Sequence, residues 1–326
     1  MFCGVDGAES HHGMALVDHE GDLLAKRRMG DNLTGYRLLL DLPAEHGDSP
    51  DAPIPVAIEA SSGPLAAVLR TGTRKIFAVN PLAAARYRDR HGVSRKKSDP
   101  GDALVLANIL RTGMHAHRPL PDDSEPARAI TVPDRAQQDA VWARQRIANQ
   151  VRSLLRDHYP VALDAFLAKQ GGLTRPEART VLTPAPTPTA GARLILQRQR
   201  TALKRAGRSR GIDVQAERIK TALRAEQAHQ PTLVEDEKAQ QLRALIAQLD
   251  AARKAVDDLT EALNASFHQQ PDAEILLSFP GMGVQLGARV IAETGDDRTR
   301  FADARSLKAY AGSAPITWAS GKKRFV

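Results

Sequence analysis

The first third of the chain alternates short apolar runs with polar turns. MFCGVD (1–6) and MALVDHEGDLLAKRRM (14–29) predict three strands, with His19-Glu20-Gly21-Asp22 turning a hairpin. LTGYRLLLDL (33–42) predicts a helix, and PVAIEA (55–60) a strand ending in Glu59. SSGPLAAVLRTG then predicts a capped helix and KIFAVN (75–80) a further strand. From Asp99 to Arg111, Leu104, Leu106, Ile109 and Leu110 recur at helical spacing. The order βββαβαβα is that of a mixed sheet flanked by helices.

Beyond about residue 125 the strand signals stop. A long helix is expected through residues 127–160, with Val141, Ile147, Val151, Leu154 and His158 on one side. Its other side carries Arg135, Arg144, Arg146, Arg152 and Arg156. LTPAPTPTAG (182–191) predicts a Pro/Thr loop. Leu242, Leu245, Leu249, Ala252, Val256, Leu259 and Leu263 then alternate spacings of three and four, which is a coiled-coil seam. Two readings of that seam stand: a dimer contact, giving a homo-oligomer of two or four chains, or a helix packed within its own chain. The expected fold class is α/β plus α. Residues 1–125 form the mixed sheet, 126–271 a basic helical and coiled-coil region, and 272–326 a small helical C-terminal domain.

Composition narrows the class. The 326 residues are 42% hydrophobic and 26% charged, which is globular rather than disordered. Only 4% are aromatic, so the core must come from Ala, Leu, Val and Ile. A lone cysteine, Cys3, excludes a disulfide framework and fits a reducing cytoplasm. No export signal and no apolar run of membrane-spanning length occur, so a cytoplasmic protein without a membrane partner is expected. The net charge of +8 suggests a polyanionic partner.

Four carboxylates fall where a metal site needs them. Asp6 closes the first strand and Glu59 a later one, while Asp99 and Asp102, three apart, share one face at a helix start. Hard oxygen donors in that arrangement suit Mg²⁺ or Mn²⁺ and phosphodiester chemistry. The alternatives are structural: Asp99 as a helix cap and Glu59 as a surface carboxylate. Asp6 resists that reading, because a carboxylate closing an apolar FCGV strand is costly to bury unless paired or metal-bound.

These segments also carry a resemblance. VDGAESHHGMALVDHEGDLL, AIEASSG and RKKSDPGDALVLANILR resemble the N-terminal domain of the DEDD-motif insertion-sequence transposases. That family includes the Piv-type DNA invertases and the bridge-RNA-guided recombinases. LLSFPGMGVQLGARVIAETGDDRTRFADARSLKAYAGSAPITWASGKKR (276–324) resembles the start of its C-terminal transposase domain. The resemblance implies a ribonuclease-H-like, RuvC-like N-terminal domain whose four acidic positions fall on Asp6, Glu59, Asp99 and Asp102. It also implies a nucleophilic serine in the A-S-G segment, Ser320 in preference to Ser313, joining covalently to DNA. Family members usually continue further past this serine than Val326, so an incomplete C-terminal domain is expected.

The residues around these motifs agree with such chemistry without compelling it. Gly321 gives Ser320 room, while Lys322, Lys323 and Arg324 give it positive charge; a basic surface loop is the alternative. PGMG (280–283) resembles the turn of a helix-hairpin-helix unit, in which Gly281 and Gly283 let backbone N–H groups reach a phosphate. A helix-ending turn would read the same. Arg193, Arg198, Arg200, Lys204, Arg205, Arg208 and Arg210 crowd residues 193–210 with no acid among them. That run is either a solvated face or a nucleic-acid surface. Scarce aromatics argue against base stacking and for backbone recognition of duplex DNA or folded RNA.

The leading expectation is a transposase or site-specific recombinase acting on double-stranded DNA at element ends and target. It would use divalent metal at the acidic site and a phosphoserine link through Ser320, with a structured guide RNA as a possible partner by resemblance. Both centres must then meet, across protomers. A metal-dependent nuclease or junction resolvase with water as nucleophile is the second reading. A non-catalytic DNA-binding remnant is the third. A sugar-kinase-like ATPase ranks last, for want of a second Gly-rich phosphate loop. No Ser-His-Asp arrangement supports protease or esterase chemistry.

Overall fold

The computed structural model describes residues 1–91, 99–167, 172–315, 318–320 and 323–325, with the side chains of 99–100, 167 and the two last segments left aside. It contains two compact units, Met1–Asp122 and Asp123–Val326.

In the first unit, β1 (Phe2–Gly7), β2 (His11–Val17) and β3 (Leu23–Gly30) form an antiparallel meander. At the predicted hairpin, the Asp18 carboxylate accepts from the N–H groups of Gly21 and Asp22 at 2.7 and 2.8 Å. Next come α1 (Leu33–Glu45), β4 (Val56–Ile58), α2 (Pro64–Leu69), β5 (Ile76–Ala78), α3 (Pro81–His91) and α4 (Asp99–Gly113). The sheet order is β3-β2-β1-β4-β5, with β4 parallel to β1 and β5 parallel to β4. The mixed sheet with helices is therefore as expected. The edge strand β3 exposes Lys26, Arg27 and Arg28, charges that discourage pairing with another sheet.

Two details depart from the expected elements. The α2 helix has no side-chain cap: Gly63, at φ 93°, precedes Pro64 in its first turn. The α3 helix is additional. It begins at Asn80-Pro81, where the Asn80 side chain accepts from the Leu82 N–H at 2.8 Å. Only Ala84 of α3 is fully buried, so its sequence lacks the apolar periodicity that announces a helix.

The alternation of the central strands defines two sheet faces. Cys3, Val5, Val56 and Ile58 pack with Leu39 and Leu42 of α1 and with Leu65 and Leu69 of α2. Phe2 and Ala57 turn the other way, into a cluster with Leu106, Ile109 and Leu110 of α4. Gly4 faces the same way as Phe2, and its missing side chain lets α4 close onto β1.

The second unit is built on two long helices. The first, α5 (Glu125–His158), is followed by α6 (Pro160–Leu167), α7 (Pro176–Leu182), α8 (Pro188–Ala192), α9 (Leu196–Arg205) and α10 (Ile212–Leu223). The second, α11 (Thr232–Phe267), leads to α12 (Ala273–Leu277), α13 (Val284–Thr294) and α14 (Ala304–Tyr310). A hairpin of β6 (Trp318–Ser320) and β7 (Lys323–Phe325) closes the described chain. The C-terminal region is thus helical with a terminal hairpin, rather than purely helical. Three-residue strands are too short to show alternation in sequence. Likewise α8 interrupts the expected Pro/Thr loop, capped by Thr187, whose hydroxyl accepts from the Ala190 N–H at 3.1 Å.

The coiled-coil stripe is spent within the chain. Leu242 and Ile246 of α11 share a core with Val151, Leu154 and Leu155 of α5. Leu263 and Phe267, at the other end of α11, meet Ala127 and Ile130 at the start of α5. The two helices therefore run antiparallel, and Leu242, Leu249, Val256 and Leu263 are buried without a second copy. Those four positions pack as the single-chain reading expects, while Leu245, Ala252 and Leu259 of the seam are half-buried.

Candidate functional site

The sheet positions the first two carboxylates. In the parallel β1–β4 pair, Val5 is registered with Ile58, and Asp6 and Glu59 follow these residues directly. Asp6 follows Val5 within β1, so by alternation it shares the face of Phe2 and Gly4; Glu59 lies in the bend just past the end of β4. Asp6 thus belongs to the α4 side of the sheet. Both carboxylates are half-buried, and Asp6 takes part in an interaction of its own.

Helix α4 runs opposite to β1. Phe2 packs near Leu106, Ile109 and Leu110, and Gly4 lies against Ala103 and Ala107. One further strand step of about 6.7 Å matches about four helical residues, so Asp6 lies level with the first turn of α4. That turn begins at Asp99, whose side chain lies outside the described residues, and carries Asp102.

Asp102 is buried, with its side chain only 6% exposed. Nη2 of Arg88, on α3, approaches its Oδ1 to 2.5 Å. The contact is one of charge rather than an aligned hydrogen bond. Neither Asp102 Oδ1 nor Arg88 Nε has a hydrogen-bond partner among the described residues. A buried carboxylate oxygen without a donor is costly and invites a cation. Hard oxygen donors gathered at one end of the sheet, one of them buried and unsatisfied, fit a divalent ion of the Mg²⁺ type. Among the described residues, no three His, Cys, Asp or Glu side chains already close into a ligand group. Arg88 was not anticipated from the sequence, because α3 itself was not. Its one signal was the Asn-Pro helix start at residues 80–81.

The remaining candidates lie in the second unit. Ser320 is the last residue of β6, registered with Lys323 of β7. The side chains of Ser320 and Lys323, and Gly321 and Lys322 altogether, lie outside the described residues. Gly281, at φ 78°, makes the turn between α12 and α13 in a conformation that favours glycine, and Gly283 starts α13 without a side-chain cap. The PGMG segment is thus a turn between two helices.

The basic run divides in two. Arg193, Arg198, Lys204, Arg205 and Arg210 are exposed. Arg200 and Arg208 are not free cations: Arg200 pairs with Asp213 at 2.7 Å and Arg208 with Glu177 at 3.4 Å. The acids come from α10 and α7, which is why a run without acids in sequence is partly neutralised in the fold. An open cleft of about 540 Å³ lies here, lined by Arg175, Glu177, Gly207, Arg208, Ser209 and Arg210. No described helix is long and apolar enough to cross a membrane.

Comparison with known proteins agrees with the motifs. Residues 3–160 match the DEDD transposase profile of the IS110 type, and residues 273–325 match the profile described as transposase, IS116/IS110/IS902 family. The chain is 65% identical over its whole length to the mini-circle protein named as the transposase for IS117 in Streptomyces coelicolor, covering 79% of that protein. It is 27% identical, over 99% of its length, to the 44.8 kDa protein of insertion element IS116 from Streptomyces clavuligerus, covering 78% of it. Over 98% of its length it is 29% identical to the 43.6 kDa protein of IS110 from Streptomyces coelicolor, covering 77% of it. The chain therefore belongs to the IS110/IS116/IS902 family of transposases, proteins of DNA recombination.

Proposed function

We propose that the protein cuts and rejoins double-stranded DNA at the ends and target of an insertion element, using a metal-assisted acidic centre and a covalent serine. The observation that carries the acidic half is the buried, unsatisfied Asp102 oxygen at the start of α4, level with Asp6 and beside the end of β4. The sheet order β3-β2-β1-β4-β5, with β2 antiparallel to both neighbours, supports a ribonuclease-H-like frame for it. Asp6, Glu59, Asp99 and Asp102 would hold Mg²⁺ or Mn²⁺. Such an ion, when bound, stabilises the charge that develops on the phosphate.

Ser320 supplies the covalent step. Its Oγ bonds to phosphorus, the P–O bond to one DNA strand breaks, and the released DNA oxygen leaves as a hydroxyl carrying a proton. Attack of a DNA hydroxyl on the phosphoserine reverses the step and rejoins strands without an outside source of energy. Arg198, Lys204, Arg205 and Arg210 meet the phosphate backbone, and the N–H groups at Gly281 and Gly283 meet another phosphate. A structured RNA presents the same backbone chemistry, and its role as a guide rests on the resemblance alone.

The second reading is a metal-dependent nuclease with water as nucleophile, favoured by one fact: the acidic residues all belong to the first unit. The test of the acidic half is cleavage of duplex carrying an element end, with and without Mg²⁺. Cleavage should need the ion and vanish in Asp6→Asn. Cleavage that persists in chelator or in that variant overturns the assignment.

A further inference from the structure

The contact between Arg88 and Asp102 is unlike the pair that the two groups would make if it were their final state. An arginine made for a carboxylate usually grips it with two parallel hydrogen bonds. Here one nitrogen approaches one oxygen at 2.5 Å, while Arg88 Nε and Asp102 Oδ1 are buried without a hydrogen-bond partner among the described residues. Yet a carboxylate buried like that of Asp102, with a side chain 6% exposed, is costly without a compensating positive charge opposite it. Among the described residues, Arg88 is the cation that faces it. The Arg88 side chain is itself only 21% exposed, held on α3 against Asp102 in the first turn of α4.

We propose that Arg88 is a positioning residue that stands in for the metal ion. It holds Asp102 in the unloaded protein, is displaced when a divalent cation binds, and then takes a phosphate oxygen of the bound DNA. The proposal rests on the acidic-centre reading above and adds a mechanism for loading it. A divalent ion brings two positive charges to an oxygen that Arg88 neutralises with one, so cation and guanidinium compete. The displaced guanidinium prefers a planar oxyanion, and a phosphodiester is the one the reaction brings. The surrounding helix suits that ligand. On the other face of α3 from Arg88, Arg86 and Arg90 are exposed one turn apart and add positive charge, lining an open cleft of about 490 Å³ with Asn80, Leu82 and Tyr87. Because Arg88 leaves Asp102 for the phosphate, metal and DNA must favour each other's binding, reciprocally. The unloaded centre is thereby kept from holding an ion before its strand arrives.

The test uses the full chain and two measurements besides turnover. Calorimetry with Mn²⁺ alone should show weak binding to the wild type and binding about tenfold tighter to Arg88→Gln, which removes the competitor. Anisotropy of a labelled duplex, at constant ionic strength, should show affinity rising severalfold with Mn²⁺ in the wild type and by clearly less in Arg88→Gln, where only the direct attraction of ion and phosphate is left. Arg88→Lys keeps the charge, guarding against a variant that fails to fold, and should hold metal affinity within about threefold of wild type while losing part of the DNA coupling. Metal affinity equal to or weaker than wild type in Arg88→Gln, with coupling as large as in the wild type, overturns the proposal while leaving the acidic centre standing. Binding of Mn²⁺ that Asp6→Asn does not weaken, or no binding to any of the proteins, overturns the acidic centre and the proposal together.

Discussion

Gly4 lies against Ala103 so closely that a β-carbon on Gly4 would sit 2.0 Å from the Ala103 carbonyl oxygen and 2.5 Å from the Ala107 nitrogen. Both obstacles are backbone atoms of α4, which cannot rotate away as a side chain would. The same contact sets how near the start of α4 comes to the end of β1. Gly4→Ala is therefore expected to cost about 3 kcal/mol, at the upper end of overpacking effects, and to depress cleavage by moving Asp102 away from Asp6. Gly113→Ala, at the far end of α4 with open space around it, should change stability by about 0.5 kcal/mol or less. Urea denaturation of both variants checks this, and equal losses would show that the close approach does not set the helix position.

The basic run makes a graded prediction. Arg205 and Arg210 are exposed, whereas Arg208 is held by Glu177. Replacing Arg205 and Arg210 with Ala should lower the log–log salt slope of DNA binding by up to about 2, roughly 0.9 per lost phosphate contact. Adding Arg208→Ala should lower it little further. A third full step on removing Arg208 would mean that Glu177 releases it to the backbone.

Asp134 of α5 is buried and receives two hydrogen bonds from Arg289 Nε of α13, at 2.9 and 2.8 Å, while Arg289 Nη1 reaches Gln138 at 2.8 Å. Removing only the arginine leaves a buried charge unpaired. Arg289→Ala should cost about 3–5 kcal/mol, and the double variant Asp134→Leu, Arg289→Leu should recover most of it. If the double variant is as unstable as the single one, the cost lies in packing rather than in the charge. Circular dichroism through urea melts reads the difference.

The extent to which the sequence announced this structure varies with the kind of signal. Asp6 and Glu59 could be placed because each closes an apolar run, and strand ends are where such runs stop. The face of Asp6 also follows from alternation, since Val5 must point into the core. Arg88 was invisible for the opposite reason: RYRDRH in α3 buries almost nothing, so no periodicity marks the helix that carries it. The α11 stripe was plain, but a seam of Leu242, Leu249 and Val256 reads the same whether its partner is α5 or another chain. Neutralisation of Arg200 and Arg208 required Asp213 and Glu177, which only tertiary packing brings near.

Cys3 gives the protein a pH signature. Its thiol has 0% exposure, and burial, aided by nearby Asp48, pushes it up to about 12 from the ordinary 9.0. The unfolded chain releases this proton near pH 9, while the folded chain keeps it. The contribution is thus fully present below pH 9 and is lost as pH rises toward 12, at about 1.4 kcal/mol per unit. Between pH 8 and pH 10.5 the wild type should lose about 2 kcal/mol more than Cys3→Ala. Tyr159, also pushed up by burial, acts in the same direction but equally in both proteins. Parallel stability curves would show that the thiol ionises in place.

The last prediction separates recombination from plain hydrolysis. Ser320 ends β6, and its substitution removes one hydroxyl and no charge. If its Oγ is the nucleophile, Ser320→Ala must eliminate both the covalent protein–DNA adduct and strand exchange, because water cannot conserve the phosphodiester bond needed for rejoining. DNA affinity and its salt dependence should be unchanged, since the cations of the basic run remain. Metal binding at the acidic centre should also be unchanged, because Asp6, Glu59 and Asp102 belong to the other unit. If water is the nucleophile, the same variant should cleave at close to the wild-type rate, and only Asp6→Asn should abolish cutting. Denaturing gels of labelled element-end DNA with wild type, Ser320→Ala and Asp6→Asn distinguish the cases in one experiment. An adduct in the wild type that is lost in Ser320→Ala supports the serine. Cleavage by Ser320→Ala, with no adduct in the wild type, removes it and leaves a metal-dependent nuclease.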